Sequence, residues 1–192
     1  MDAALSRPSF WLDSAGPFPA RPALPGDVSV DVAIVGGGFT GLWTAYYLST
    51  LDPRLRIAVL EAQYCGFGAS GRNGGWCSGL FPVSPAKLAR RFGDGPAGAL
   101  YTALAGTVDE VGRVAAAEGI DCHFAKGGTI TLARTPAQLR RARASSAEAF
   151  LDAAAARAIC GASGVLGGTY SPDCASLQPA LLVRGLAAAV ER

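Results

Sequence analysis

Three glycines and one carboxylate carry the most legible chemistry in this chain. In Asp31-Val32-Ala33-Ile34-Val35-Gly36-Gly37-Gly38-Phe39-Thr40-Gly41 an apolar run ends in G-x-G-x-x-G spacing, and Glu61 follows a second apolar run about twenty residues past Gly41. Glycine at 36 permits a tight turn, at 38 it lets the main chain approach a phosphate, and at 41 it lets the next helix pack on the strand. A helix opening at Phe39 and Thr40 would aim unpaired N–H groups and the positive end of its dipole at a pyrophosphate, so no lysine or arginine is required. Glu61 stands where a carboxylate accepts hydrogen bonds from adenosine ribose hydroxyls, and its charge disfavours a 2′-phosphate. Glycine spacing alone also describes an ordinary glycine-rich loop; strand, helix, second strand and acid in this order point to a bound dinucleotide.

Those residues need a β-α-β unit to place them. Leu42, Ala45, Tyr46 and Leu48 recur at helical spacing, Asp52-Pro53 stops that helix, and residues 56–60 read as a buried parallel strand. Ahead of the unit, residues 1–27 form an arm. Pro8, Pro17, Pro19, Pro22 and Pro25 make it irregular, and Phe10, Trp11, Leu12 and Phe18 can anchor it to a surface. Residues 64–85 form a glycine-rich loop expected to hold no regular element. Helices are expected over 87–92 and 97–118, the second punctuated by Gly119. Strands at 122–124 and 129–132 flank a Lys126-Gly127-Gly128 turn, a helix follows over 136–150, and then come a strand at 167–170, a loop at 171–179 and an uncapped helix over 180–192.

The fold class is therefore α/β. It comprises a Rossmann-like βαβ unit with its glycine-rich loop (28–85), preceded by the arm and followed by a helical segment and the beginning of an α+β domain (86–192). A doubly wound sheet needs more than two parallel strands. The remainder is expected from residues beyond this sequence, unless the chain is a truncated product.

Composition narrows the function classes. Hydrophobic residues make up 50% of the 192 and charged residues 17%, which argues against disorder. The net charge is +2, and arginines such as Arg140, Arg141 and Arg143 fall at helical spacing rather than in a stripe with aromatics, so no nucleic-acid partner is expected. Five cysteines form no C-x-x-C pair and His123 is the single histidine, so neither a disulfide framework nor a metal site is expected. His123, between Cys122 and Phe124, reads as a half-buried structural residue of a strand. No signal-peptide pattern and no membrane-length apolar run is visible, which suits a cytoplasmic setting.

A second run, Tyr64-Cys65-Gly66-Phe67-Gly68-Ala69-Ser70-Gly71-Arg72-Asn73-Gly74-Gly75-Trp76, is too specific for a linker. Its small residues permit close approach, and Ser70, Arg72 and Asn73 offer hydrogen bonds, which suits a second phosphate contact. Together with residues 31–41 and Val59-Leu60-Glu61-Ala62, this run resembles the FAD-dependent oxidoreductases of the D-amino-acid oxidase and glycine oxidase superfamily, nearest to the gamma-glutamylputrescine oxidase group. Ser9-Phe10-Trp11-Leu12 and Lys126-Gly127-Gly128-Thr129 extend the likeness.

The resemblance implies that Gly36, Gly38, Phe39, Thr40 and Gly41 hold the FAD pyrophosphate and Glu61 the ribose. Ala69, Ser70, Arg72, Asn73, Gly74 and Gly75 would then lead the cofactor towards its flavin ring. It also implies oxidation of the C–N bond of a small amine or amino acid by hydride transfer to the flavin, giving an imine that hydrolyses. Complete members of the family are more than twice this length and their substrate contacts fall mostly in the absent part, so no catalytic residue is assigned. Cys65 and Cys77 flank the loop and could carry a covalent flavin, although nothing visible lowers their pKa. Trp76 could stack near the flavin or fill an interface. Two other readings stay open: a nicotinamide-dependent dehydrogenase, which leaves residues 69–75 without a reason, and a cofactor-binding fragment without turnover.

Overall fold

Val32, Ile34 and Val35 pack best on a pleated surface, and Leu42, Ala45, Tyr46 and Leu48 recur at helical spacing, so the chain changes from one to the other across three glycines. The computed structural model describes residues 9–17, 20–145 and 148–192. Along it lie α1 (Phe10–Ser14), β1 (Val32–Val35), α2 (Phe39–Leu51), β2 (Ile57–Leu60), a 3-10 turn (Ala69–Gly71), β3 (Trp76–Ser78), α3 (Pro85–Phe92) and α4 (Asp94–Ala117). They are followed by β4 (Ala125–Lys126), β5 (Thr129–Ala133), α5 (Pro136–Ala144), β6 (Ala149–Asp152), α6 (Ala153–Ile159), β7 (Gly167–Ser171), β8 (Cys174–Ser176) and α7 (Pro179–Val190).

These elements fall into two units. The first gathers the described residues up to Gly75 with Arg113–Phe124 and Leu177–Arg192. In it β1 and β2 pair in parallel, Val32 opposite Ile57 through Val35 opposite Leu60, and α2 is their crossover. Leu42 and Ala45 of α2 are buried, as are Leu182, Val183 and Leu186 of α7, which packs against α2. Each such leucine contributes about 1.5–3 kcal/mol by leaving water. The end of α4 enters this unit and stops at Gly119, whose φ is 65°. There the Ile120 N–H donates to the Ala115 carbonyl at 2.8 Å and the Gly119 N–H to Ala116 at 3.3 Å, satisfying carbonyls the helix leaves open.

The arm is ordered from Ser9 by a short helix that the proline content of residues 1–27 hid. Leu12 is buried, whereas Phe10 is exposed; Phe18, Pro8 and Pro19 lie outside the described residues. Gln178 joins arm to core: its Nε2 donates to the Trp11 carbonyl at 2.7 Å and to Ser14 Oγ at 3.2 Å. Its Oε1 caps α7 by accepting from the Leu181 N–H at 2.9 Å. Arg184 Nη1 adds bonds to the carbonyls of Ala15 and Gly16 at 3.0 and 2.9 Å.

The second unit holds Trp76–Gly112 and Ala125–Ser176. Two antiparallel sheets form here, with strand orders β3-β8-β4 and β5-β7-β6. Several expectations are corrected here. In the first unit, residues 122–124 form no strand; His123 has φ 54° and is exposed rather than half-buried, with its N–H turned to Asp121. The next ones lie in the second unit. β4 and β5 flank the Gly127-Gly128 turn but join different sheets, because each finds its partner further along the chain, in β8 and β7. The helix begun at Pro136, closed by a Thr135–Gln138 capping box, ends at Ala144, and Phe150 belongs instead to β6. Trp76–Ser78 and Cys174–Ser176, both expected as loop, pair with each other as β3 and β8. A three-residue strand has no periodicity to read; only its partner almost a hundred residues away makes it one. In the first unit α7 ends at Val190 rather than at the last residue, with the Glu191 N–H bonded to the Ala187 and Ala189 carbonyls.

At the start of β1 the Asp31 carboxylate accepts from Arg56 three times: from its N–H at 2.9 Å, from Nε at 3.1 Å and from Nη2 at 3.0 Å. These bonds, side chain first and backbone second, lower the Asp31 pKa to about 2. A carboxyl held below its unfolded value of about 3.9 stabilises the fold fully above that value. The contribution is lost as pH falls from about 4 towards the folded pKa. Carboxyl NMR titration should place Asp31 near 2, and Arg56→Gln should return it towards the ordinary range. A second test concerns the arm. Gln178→Ala removes the α7 cap and both of its bonds to the arm, at the Trp11 carbonyl and at Ser14, so urea unfolding should show a loss of about 1–3 kcal/mol.

Candidate functional site

The fingerprint loop leaves β1 at Gly36, whose φ of 106° is closed to side chains and whose N–H donates to the Leu60 carbonyl at 2.7 Å. The turn therefore stays attached to the end of β2, which brings Glu61 beside it. The Glu61 carboxylate is held at both oxygens: Oε2 accepts from the Gly37 N–H at 2.8 Å and Oε1 from the Gln63 N–H at 3.0 Å. Gly38 is the N-cap of α2 and offers no side chain to cap it. A Cβ at Gly41 would collide with the Gly36 carbonyl and lie 3.1 Å from Ile34 Cγ2, so helix and strand meet there without space for one.

The second loop returns to the same place. Ser70, in the 3-10 turn, accepts the Phe39 N–H through Oγ at 2.8 Å, and so caps α2 from outside the helix. Its oxygen keeps a hydroxyl proton that can be donated to an anion. Among the described residues nothing accepts from the N–H groups of Thr40 and Gly41, which belong to the first turn of α2. The Gly66 N–H donates to the Gly37 carbonyl at 3.0 Å, a further tie between the loops.

Arg72 and Asn73 bond within their own loop. Arg72 Nε donates to the Phe67 carbonyl at 2.6 Å, Nη2 to the Tyr64 hydroxyl at 3.4 Å, and its guanidinium lies 5.1 Å from the Phe67 ring centroid. Asn73 Nδ2 donates to the carbonyls of Ala69 and Ser70 at 3.2 and 3.0 Å, while Oδ1 accepts from the Gly75 N–H at 2.8 Å. Gly75, at φ 70°, is closed in by the Leu177 carbonyl and Trp11. At Gly36, Gly68 and Gly74 nothing lies within 4 Å of the place a Cβ would occupy. Ala69 is exposed.

Residues 36–41, 61 and 69–75 thus meet in one unit, with helix N–H donors, a seryl hydroxyl and a carboxylate converging. Such a set can hold an anion at the amides and a diol at the acid, and the open faces of Gly36 and Gly74 let a ligand lie against the main chain. The fit to a dinucleotide rests on those faces and on the α2 amides. Trp76 begins β3 of the second unit, largely exposed, and its indole N–H donates to Cys174 Sγ. No disulfide joins the five cysteines, and burial raises the Cys65 and Cys122 pKa values. Among the described residues no three His, Cys, Asp or Glu side chains gather as metal ligands, and no helix is long and apolar enough to cross a membrane. Gly37 was missing from the sequence-derived set, although the unbroken triplet Gly36-Gly37-Gly38 was a visible sign of it.

Comparison with known proteins adds the following. A family model described as FAD dependent oxidoreductase (DAO) matches residues 31–192. The gamma-glutamylputrescine oxidoreductase of Escherichia coli (strain K12) is 43% identical over 67 residues, 35% of this chain and 15% of that protein. The sarcosine oxidase beta subunit of Rhizobium meliloti is 56% identical over 43 residues, 22% of this chain and 10% of that one. Among solved structures, glycine oxidase from Geobacillus kaustophilus superposes with a TM-score of 0.61 at 26% identity, over 84% of this chain and 44% of that one. An L-amino acid deaminase from Proteus vulgaris, at 17% identity, shares the fold with a TM-score of 0.64 over 90% and 44%. The chain spans under half the length of each of these structures and a smaller share of the curated relatives.

The crowding at Gly41 has a measurable consequence. Gly41→Ala should cost about 1–3 kcal/mol in urea unfolding, since the methyl must push α2 off β1. Gly74→Ala, facing open space, should leave unfolding within about 0.5 kcal/mol of the parent.

Proposed function

The chain belongs to the FAD dependent oxidoreductase (DAO) family, and we propose that the two interlocked loops of its first unit form the adenine-dinucleotide half of the FAD site of an amine or amino-acid oxidoreductase. One observation carries this reading: Glu61 and Ser70, from different loops, both bond the fingerprint, at Gly37 and at Phe39. The main-chain N–H groups of Thr40 and Gly41 in the first turn of α2 would bind the pyrophosphate, assisted by the Ser70 hydroxyl, while Gly36 and Gly38 leave the main chain bare for its approach and Ser70 holds Phe39 in place. Lone pairs of Glu61 not used on Gly37 and Gln63 would receive the ribose hydroxyls. Ala69, Gly74 and Gly75 would line the path towards the flavin, with Arg72 and Asn73 fixing that loop's shape.

When bound, FAD supplies the hydride acceptor that C–N oxidation requires. The names of the relatives support a nitrogen-bearing substrate: glycine oxidase, L-amino acid deaminase and gamma-glutamylputrescine oxidoreductase. This chain's own part is to grip and orient: the amides and hydroxyl fix the phosphates, and the acid fixes the sugar. Five cysteines kept as thiols suit a reducing compartment, so the reading takes the cytoplasm as the setting.

Titration of the 192-residue chain with FAD, followed by flavin fluorescence, tests the reading. The chain should bind FAD in competition with ADP but not with NADP, and Glu61→Gln should weaken binding about tenfold, or about 1.4 kcal/mol. A chain that leaves FAD fluorescence unchanged at saturating protein sinks the proposal.

A further inference from the structure

We propose that Cys65 is a positioning residue of the dinucleotide site, its buried thiol forming the floor that sets the height of the fingerprint loop at Gly37. This rests on the reading of the loops as an FAD site. The fingerprint itself leaves position 37 open to any residue. Here it is not open: a Cβ on Gly37 would stand 2.8 Å from Cys65 Sγ, 3.3 Å from Cys65 Cα and 3.3 Å from Glu61 Cβ. The φ of Gly37 is one that side chains tolerate, so space and not conformation demands glycine.

The same peptide is gripped on its other sides. The Gly37 N–H donates to Glu61 at 2.8 Å and the Gly37 carbonyl accepts from the Gly66 N–H at 3.0 Å. Residues 61–66 therefore bond both the N–H and the carbonyl of Gly37, while the sulfur takes the space its Cβ would need. Cys65 is only 6% exposed, and its thiol pKa is pushed up by burial, so at neutral pH it is an uncharged volume rather than a nucleophile.

Geometry gives that volume its effect. A larger side chain at 65 lifts Gly37 away from Glu61, and a smaller one leaves a gap into which the loop can sink. Either shift changes the carboxylate that would meet the ribose and the amides that would meet the pyrophosphate together, because Gly37 lies between them. The thiol thus acts on the cofactor through Gly37 without touching it.

Exchange of volume between the two positions is the test. FAD dissociation constants are measured by fluorescence on the full chain, with circular dichroism and thermal unfolding of each apo variant recorded alongside. Gly37→Ala and Cys65→Leu should each weaken FAD binding about thirtyfold, and Cys65→Ala about fivefold. The double variant Gly37→Ala/Cys65→Ala should bind within about fivefold of the parent, because the new methyl occupies the place of the sulfur; independent sites would multiply the losses to about 150-fold. A double variant as weak as Gly37→Ala, or a Cys65→Leu variant that binds as the parent does, overturns the inference.

Should a variant fail to fold, alkylation of the parent chain decides. FAD should slow modification of Cys65 at least about tenfold relative to Cys160, read by peptide mass, since a held loop keeps its floor covered. A chain that binds FAD yet shows Cys65 protected no more than Cys160 overturns the inference alone. A parent chain that takes up no FAD overturns the cofactor reading and this inference with it.

Discussion

Two side-chain oxygens govern this site: Glu61 Oε2 on the Gly37 N–H and Ser70 Oγ on the Phe39 N–H. A loop made of Gly36, Gly37 and Gly38 has little side-chain surface to bury, so hydrogen bonds from elsewhere must fix it. Both donors belong to backbone that no helix or sheet ladder satisfies, which makes the two acceptors obligatory partners. The remaining geometry serves to deliver them. β2 ends at Leu60 so that Glu61 emerges beside the turn, and the 3-10 turn at Ala69–Gly71 presents Ser70 to the start of α2.

Delivery of Ser70 depends in turn on how the second loop closes on itself. Asn73 bridges the carbonyls of Ala69 and Ser70 and the N–H of Gly75, and Arg72 fastens to Phe67 and Tyr64. These are bonds a flexible glycine-rich segment needs to lose its conformational freedom, which costs about 1–2 kcal/mol per residue. Beneath them Gly66 lies so close to Val183 that any Cβ would collide with it, which seats the loop on α7. A polar loop is thus clamped between a helix terminus and a hydrophobic helix face.

The β1-α2-β2 run and its acid were legible because each link is local: alternating or helical apolar spacing, a stop at Asp52-Pro53, and glycines where main chain must turn. Membership of the flavoprotein family was legible for the same reason, since both glycine-rich runs are contiguous. The strands β3, β4, β6 and β8 were not. Each is two to four residues long, too short for a readable periodicity; β3 and β4 find their partner β8 far along the chain, and β6 lies where helical residues were expected to continue. The site was legible as a set of residues and not as an arrangement: nothing in Ser70 announces that it caps α2. Arg72 read as a ligand candidate because it is a cation in a polar motif, and no spacing rule tells that its guanidinium also bonds Phe67 and Tyr64. His123 read as a strand residue from its neighbours, but the helix stop at Gly119 and the bond from the Gln178 N–H to the Cys122 carbonyl bend the chain there instead.

The dinucleotide unit is completed by residues that arrive late in the chain. α7 supplies Val183 under Gly66 and Leu182 and Leu186 to the core, and Gln178 and Arg184 hold the arm, so Ser9 through Gly75 has its full set of partners only once residues 177–192 have folded back. Contacts of such sequence separation bear a closure entropy before they return any burial, which makes the unit's formation a late and cooperative event. Loop and ligand are coupled through that cooperativity. A molecule bound by the α2 amides binds only the folded form, and at a hundred times its dissociation constant it adds about 2.7 kcal/mol to stability. That increment is comparable with what one buried leucine contributes to the α2–α7 contact. The amides that would hold a pyrophosphate and the helices that bury Leu42 and Leu186 therefore stabilise one and the same folding transition.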